Sequence, residues 1–238
     1  WISEPLLGYA SFIVVSSSGE WILVEAGEGV YAAMRRCGFD LDSGFRGVVV
    51  SHRHGDHLLG LPTILQMAKH RGFGRVTILS IDDVGEAVRE LLNASGSLNV
   101  VDIADFRALE VGKRVAVGRG FEVEFIEAIH TVPAASIKII VDGRCLVYSG
   151  DTVYNPKLAE FSKGCRVLVH EASGYYEDAH RYGHSTYIDA IETALKAGVD
   201  NLVLIHFYLQ PQPVDTSIIK GGGKLKILVP HQCTAIEI

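Results

Sequence analysis

Apolar residues fall along this chain in two patterns, short runs of strand length and longer stretches with a single apolar face, and their alternation predicts a mixed α/β fold. Ser11–Ser16 and Trp21–Glu25 are β-rich runs joined by Ser-Ser-Gly-Glu, a hairpin signature. Gly29–Cys37 reads as a short helix closed by Gly38, and Arg46–Ser51 as a fully buried strand. His57–His70 follows as a helix, with Leu58, Leu61, Ile64, Leu65 and Ala68 on one face. Val76–Ser80 is a strand, and Asp82 is placed to cap an amphipathic helix running through Leu92. Between Leu109 and Val147 the turn residues Gly112, Gly118, Gly120 and Asp142-Gly143 divide a meander of strands. Helix Pro156–Lys163, strand Arg166–His170, helix Ser185–Ala197, strand Leu202–His206 and terminal strands Leu225–Pro230 and Thr234–Ile238 complete the prediction. No polar or Pro/Gly/Ser-rich linker interrupts this order, so residues 1–238 are expected to form a single domain with sheets packed together and helices outside.

Composition narrows the functional classes. With 48% apolar and 21% charged residues over 238 positions, the chain can bury a core and is unlike a disordered or disulfide-scaffold sequence. Its net charge of −6 excludes a broad basic surface that would hold nucleic acid by counterion release alone, so any polyanion must meet a local site. No apolar run approaches the ~18 residues of a membrane span. Without a membrane span or an evident signal peptide, a cytoplasmic setting is expected. Cys37, Cys145, Cys165 and Cys233 are widely spaced and form no C-x-x-C pair, which predicts reduced core thiols rather than disulfides or metal ligands.

The chemistry concentrates in Ser51-His52-Arg53-His54-Gly55-Asp56-His57, between a predicted buried strand and a helix. Imidazoles and carboxylates are the ligands that zinc, manganese and iron accept, and Gly55 lets the turn close tightly. His52 and His54, two positions apart, can face one ion, while the offset Asp56 and His57 can face a second. Polar groups in this number have little packing rationale at the end of Val-Val-Val-Ser. Further along, His130 follows the strand Phe121–Ile129, Asp151 lies in Tyr148-Ser-Gly-Asp-Thr152, and His206 ends Leu202-Val-Leu-Ile-His206.

With Trp21–Gly29 ahead of them, these motifs resemble the metallo-β-lactamase superfamily along almost the whole chain. The resemblance implies an αββα four-layer sandwich with a metal centre at one sheet edge. It assigns His52, His54 and His130 to one divalent ion, Asp56, His57 and His206 to another, and Asp151 as the bridge. Zinc is the expected metal, with manganese or iron as alternatives on the same donor set. Water held between two cations loses a proton far more readily than bulk water, and Asp56 is placed to orient it.

Two further groups, His170-Glu171-Ala172-Ser173 and His184-Ser185-Thr186, resemble motifs of the ribonuclease Z (tRNase Z) branch, whose members remove the 3′ trailer of precursor tRNA. That resemblance makes His184, oriented by Glu171, the proton donor to the leaving oxygen, with Ser185 as a helix N-cap. It implies a phosphodiester substrate, precursor tRNA among the candidates, and a homodimer. His130 and Asp151 are only 21 positions apart, which leaves no room for the arm that grips tRNA in that branch. Phe207-Tyr208-Leu209-Gln210-Pro211 also lacks the basic residue often found after the last histidine. A small or cyclic phosphodiester is therefore the alternative substrate, followed by a lactone or thioester and, more remotely, a non-enzymatic scaffold. Arg53, Lys138, Arg181, Lys220, Lys224 and Lys226, with Gly221-Gly222-Gly223, are the sparse candidates for phosphate contact. His70, His180 and His231 read as ordinary surface or core histidines.

Overall fold

The computed structural model describes residues 10–108, 110–174, 177–208, 214 and 224–238. Its first sheet consists of β1 (Phe12–Val15), β2 (Trp21–Val24), β3 (Phe45–Val50), β4 (Val76–Ser80) and β5 (Ala104–Ala108), side by side in that order. Only β1–β2 is antiparallel; the remaining pairs are parallel. The helices α1 (Val30–Arg36), α2 (Gly55–Leu58), α3 (Leu61–His70) and α4 (Asp82–Ala94) belong to this half. The second sheet has the order β12-β11-β10-β9-β8-β7-β6, from β6 (Arg114–Val117), β7 (Phe121–Glu127), β8 (Ala135–Val141), β9 (Arg144–Tyr148), β10 (Val167–Glu171), β11 (Asn201–Ile205) and β12 (Lys226–Leu228). It is antiparallel from β6 to β9 and parallel from β9 to β12. α5 (Pro156–Ser162) and α6 (Tyr187–Ala197) complete it.

Strand alternation sorts the apolar side chains into layers. Ile22, Val24 and Val49 of the first sheet meet Phe121, Val123, Phe125, Ile137, Ile139 and Val169 of the second in a core between the sheets. Trp21, Leu23, Val48 and Val50 point the other way, onto Met34, Leu61, Ile64, Leu65 and Val88 of the first helical layer. Leu168, Leu202 and Leu204 face Leu158, Ala190, Ile191 and Ala194 of α5 and α6. Two sheets enclosed by two helical layers form the αββα sandwich expected from the sequence.

Several local expectations are corrected. The helix foreseen over 57–70 is two helices, α2 and α3, because Gly60 presses against the β2–α1 loop: its N–H donates to Ala26 O at 2.8 Å, and a Cβ there would meet Gly27 O at 2.3 Å. Thr186, not Ser185, caps α6, through a capping box with Asp189. Ser185 Oγ instead donates to Thr152 O at 2.6 Å. Asp82 is the first residue of α4, with Ile81 at the cap position. Thr234–Ile238 forms no strand; Ile236 and Ile238 pack against the core between the sheets. β5 and the 3₁₀ turn Leu98–Ile103 before it were not foreseen. The four cysteines are not reduced thiols but two disulfides, Cys37–Cys233 and Cys145–Cys165. Their Cα atoms approach to 5.2 and 4.8 Å across sequence separations of 196 and 20, a proximity that spacing along the chain does not encode. Lys220, Gly221-Gly222-Gly223 and Leu209-Gln210-Pro211 lie outside the described residues. Among the described residues no helix is long and apolar enough to cross a membrane.

Candidate metal centre

The carboxyl ends of β3, β9, β10 and β11, with the loop that follows β7, converge on one edge of the sandwich, where open α/β sheets commonly place their ligands. The turn after β3 is anchored on both sides. Ser51 N–H donates to the buried carboxylate of Glu25 at 3.1 Å, and Ala135 N–H donates to Ser51 O at 3.1 Å, tying the turn to the second sheet. His52, Asp56 and His57 are buried as a result.

Three ring nitrogens converge in the first group: His54 Nδ1 stands 3.1 Å from His52 Nε2 and 3.0 Å from His130 Nε2. His130 Nδ1–H donates to Gly183 O at 2.8 Å, and His52 Nδ1 faces Ser51 Oγ at 2.9 Å. With their outer nitrogens protonated, both rings turn lone pairs inward. In the second group His206 Nε2 lies 3.2 Å from His57 Nε2 and 3.0 Å from Asp56 Oδ2. Ser173 Oγ donates to His206 O at 2.9 Å and so accepts from His206 Nδ1–H at 2.7 Å, which again leaves Nε2 inward. Asp151 Oδ2 lies between the groups, 3.6 Å from His52, 3.9 Å from His130, 3.3 Å from His57 and 3.4 Å from His206. Gly150 before it has φ +60°, and a Cβ there would meet Ala135 O at 2.4 Å, so glycine permits the approach that delivers Asp151.

This donor set fits divalent ions. Inward lone pairs separated by about 3 Å need a positive centre between them, and a tetrahedral zinc with nitrogens at ~2.0–2.1 Å spaces them at about 3.3 Å. Asp56 Oδ1 and Asp151 Oδ1 are buried without a hydrogen-bond partner, consistent with carboxylates shaped to hold cations. His52, His54, His130 and Asp151, then Asp56, His57 and His206, and finally Asp151, His184 and His206 form three groups whose donor atoms lie within 4.8 Å of one another.

The electrostatics differ between the groups. Burial, then repulsion from His57, holds His52 well below the usual imidazole pKa, while burial and His130 bring His54 down to about 4. His130 is also lowered, chiefly by burial. These are neutral rings, the form that binds metal. In the second group burial again opposes the imidazolium, but Asp151 and Asp56 outweigh it and raise His206 to about 9, while Asp151 and Glu25 raise His57 well above its usual value. That half attracts positive charge, whether as a proton or as a divalent ion. Glu25 Oε1 lies 3.5 Å from His57 Nδ1, too far for more than a charge contact.

Beside the centre, His184 Nδ1–H reaches Glu171 Oε1 at 3.1 Å and Oε2 at 3.3 Å. Glu171 is fully buried and is fixed by Thr152 N–H at 2.8 Å and Ser173 N–H at 3.2 Å. The His184 ring stacks on His206 with centroids 5.5 Å apart and lies 3.8 Å from Asp151. Burial opposes its charged form, but the Glu171 hydrogen bond and carboxylate charge raise its pKa overall. Every site residue expected from the sequence is therefore gathered at one place. Ser51, Gly150 and Ser173 were read only as members of their motifs, without these supporting roles, and Glu25 and Gly183 were given no site role; the signal for Glu25 was a carboxylate ending an apolar strand. His170 is buried but belongs to none of these groups, its Nδ1 facing Glu171 O at 2.8 Å. His180 pairs with Asp189 at 2.8 Å, Arg53 with Asp83 at 3.4 Å, and Lys138 lies over the Phe161 ring at 4.2 Å.

Comparison with known proteins agrees with this architecture. Residues 20–207 match the family model of the β-lactamase superfamily domain. The ribonuclease Z of Pyrobaculum arsenaticum is 31% identical over 232 residues, covering 79% of this chain and 76% of that protein. The ribonuclease Z of Aeropyrum pernix is 25% identical, covering 83% and 81% respectively. Among solved structures, the short form of human tRNase Z superposes with a TM-score of 0.78 at 18% identity, covering 100% of this chain and 95% of that one. The metallo-β-lactamase fold protein YhfI from Bacillus subtilis gives 0.74 at 20% identity, covering 93% and 89%. The chain belongs to the β-lactamase superfamily and is a metal-dependent hydrolase.

Proposed function

We propose that this hydrolase cleaves phosphodiester bonds in RNA at a two-cation centre, in the manner of ribonuclease Z. His52, His54 and His130 would hold one ion, Asp56, His57 and His206 the other, and Asp151 would serve both. Ions bound there supply an acidified water and stabilise negative charge developing at phosphorus. The chain's own residues do the rest. Asp56, with one buried oxygen uncommitted, orients the attacking water. Glu171 fixes His184 by its Nδ1–H, so that Nε2 carries the proton delivered to the departing sugar oxygen.

The His184–Glu171 pair at 3.1 Å is the observation that carries this reading. A thioester expels a stable thiolate without such a dedicated acid, whereas an alkoxide leaving from phosphorus requires one. His184→Ala should retain metal and melting temperature while lowering kcat on an RNA diester by about 10²–10⁴-fold. An unchanged kcat on an RNA diester would remove the assigned role; bis(p-nitrophenyl) phosphate, whose nitrophenolate departs without protonation, is the control that should change little.

A smaller diester is the second reading, favoured by one feature. Between His130 and Asp151 the chain forms only β8, a turn at Asp142-Gly143 and β9, with no inserted arm. Parallel assays of metal-quantified protein on 3′-extended precursor tRNA, a cyclic ribose phosphate and a chromogenic diester separate the two. Cleavage of the precursor at its 3′ trailer is the outcome expected of the first reading; activity confined to the small diesters selects the second. A homodimer belongs to the first reading, with a second copy contributing grip on long RNA.

A further inference from the structure

The mouth of the centre is marked by exposure. His184 is 18% exposed at its side chain, against 0% for His52 and His57 and 3% for His206. Solvent, and any substrate, therefore reaches the cluster beside His184 and beside His54, which is also only partly buried. Of the eight large apolar or aromatic side chains left exposed among the described residues, three lie close in sequence to site histidines: Ile129 at 50%, Tyr182 at 69% and Tyr208 at 53%. Each is one or two residues from a histidine of the cluster: His130, His184 and His206 respectively.

Tyr182 is held there by its neighbour. Gly183 has φ +80°, its carbonyl accepts from His130 Nδ1–H at 2.8 Å, and a Cβ on it would meet that nitrogen at 2.8 Å. With Cα atoms about 3.8 Å apart, Tyr182 starts one residue from a backbone pinned to the centre. Tyr208 follows the His206 turn, which has φ +62° and is clasped by Ser173 Oγ at both the carbonyl and the ring. The loops that carry the stacked His184 and His206 rings thus each carry an exposed tyrosine two residues from the ring. Exposed Arg181 adjoins Tyr182.

A phenol face exposed beside a phosphodiester centre matches one ligand chemistry above others. Nucleobases have π faces of any sequence, and aromatic platforms beside a backbone-binding groove are how single strands are held without base readout. A chain of net charge −6 lacks the basic field that would grip a duplex, so stacking must contribute what charge does not. We infer that Tyr182 and Tyr208 form a stacking rim that receives unpaired nucleobases flanking the scissile phosphate, which makes a single-stranded RNA segment, rather than a small diester, the substrate. The inference rests on the phosphodiesterase reading for its choice of ligand but is tested by binding, apart from turnover.

The test uses the full chain, a fluorescein-labelled oligoadenylate and the same strand carrying abasic ribose at two adjacent positions, with Kd read by fluorescence anisotropy. Tyr182→Ala and Tyr208→Ala should each weaken oligoadenylate binding by about tenfold. Both should weaken abasic-strand binding by less than about twofold, because the lost stacking partner is already missing from that strand. Tyr→Trp at either position should restore affinity, a rescue that loss of a hydroxyl contact or a loop distortion would not give. Equal losses on both strands, or no loss on either, overturn the rim. Wild-type protein that discriminates the two strands through these tyrosines yet hydrolyses no diester keeps the rim and refutes the phosphodiesterase reading.

Discussion

His52, His54, Asp56 and His57 occupy one continuous segment after β3 that runs into α2, whereas His130, Asp151, His184 and His206 arrive from four separate loops of the second half of the fold. The contiguous half is fixed largely by chain continuity, a strand end running into α2 at Gly55, with Glu25 of the neighbouring strand's end accepting the Ser51 N–H. The dispersed half depends on strand register. β9 pairs with β10 at Leu146–Val167, and β10 with β11 at Glu171–Ile205, so a slip of one residue would turn Glu171 away and carry Asp151 and His206 out of reach. A local motif can therefore be read from its residues, while its complement exists only if a whole sheet is assembled correctly.

Asp151→Ala strikes both halves at once and should be the most damaging change. One carboxylate oxygen lies within 3.9 Å of five ring nitrogens, four of them in the two groups, so metal should be lost from both groups, with a rate loss at least about tenfold beyond that of His54→Ala. Metal analysis with kcat on a diester checks this, and full metal content at full rate would show that Asp151 does not join the halves.

The scaffolds of the two halves are stapled unequally. Chain-entropy arithmetic gives about 5 kcal/mol for the span closed by Cys37–Cys233 and about 3 kcal/mol for that closed by Cys145–Cys165. Paired Cys→Ser variants compared by urea unfolding should follow that order; the reverse would show that residual structure in the unfolded chain dominates.

Glu25→Gln is a finer probe of the contiguous half. Burial raises the Glu25 pKa despite the nearby His57, and an amide oxygen can still accept from Ser51 N–H. A cost of about 1–2 kcal/mol is expected, against about 3–5 for Glu25→Ala, which leaves the Ser51 donor and His57 without their partner.

The smallest effect concerns the loop that carries His184. Burial opposes the charged form of Asp189, but the hydrogen bond from His180 and the Thr186 cap lower its pKa below the usual carboxylate value. A lowered folded pKa contributes stability that is complete above about pH 4 and fades as pH falls through the folded value. The melting-temperature gap between wild type and Asp189→Asn should therefore be constant near neutrality and close in acid; a gap that widens in acid would reverse the assignment.

Composition and periodicity were enough to read the layered α/β order, and the strand and helix positions differ from the structure mostly by one or two residues. The Gly60 break, the pairing of β5 and the disulfides escaped because each depends on segments far apart in sequence. Glu25 escaped for a related reason: a carboxylate after an apolar strand acquires meaning only when Ser51 and His57 close over it.

Residue type and order by themselves pointed to the donor chemistry: five histidines and two aspartates, with a glutamate and a histidine to manage a proton. Tertiary structure alone decided which nitrogen of each ring faces inward, since the tautomer is set by partners such as Gly183 O and Ser173 Oγ on other loops. It also decided where the cluster meets solvent, because exposure at His184, Tyr182 and Tyr208 is a property of the assembled edge and not of any segment taken separately.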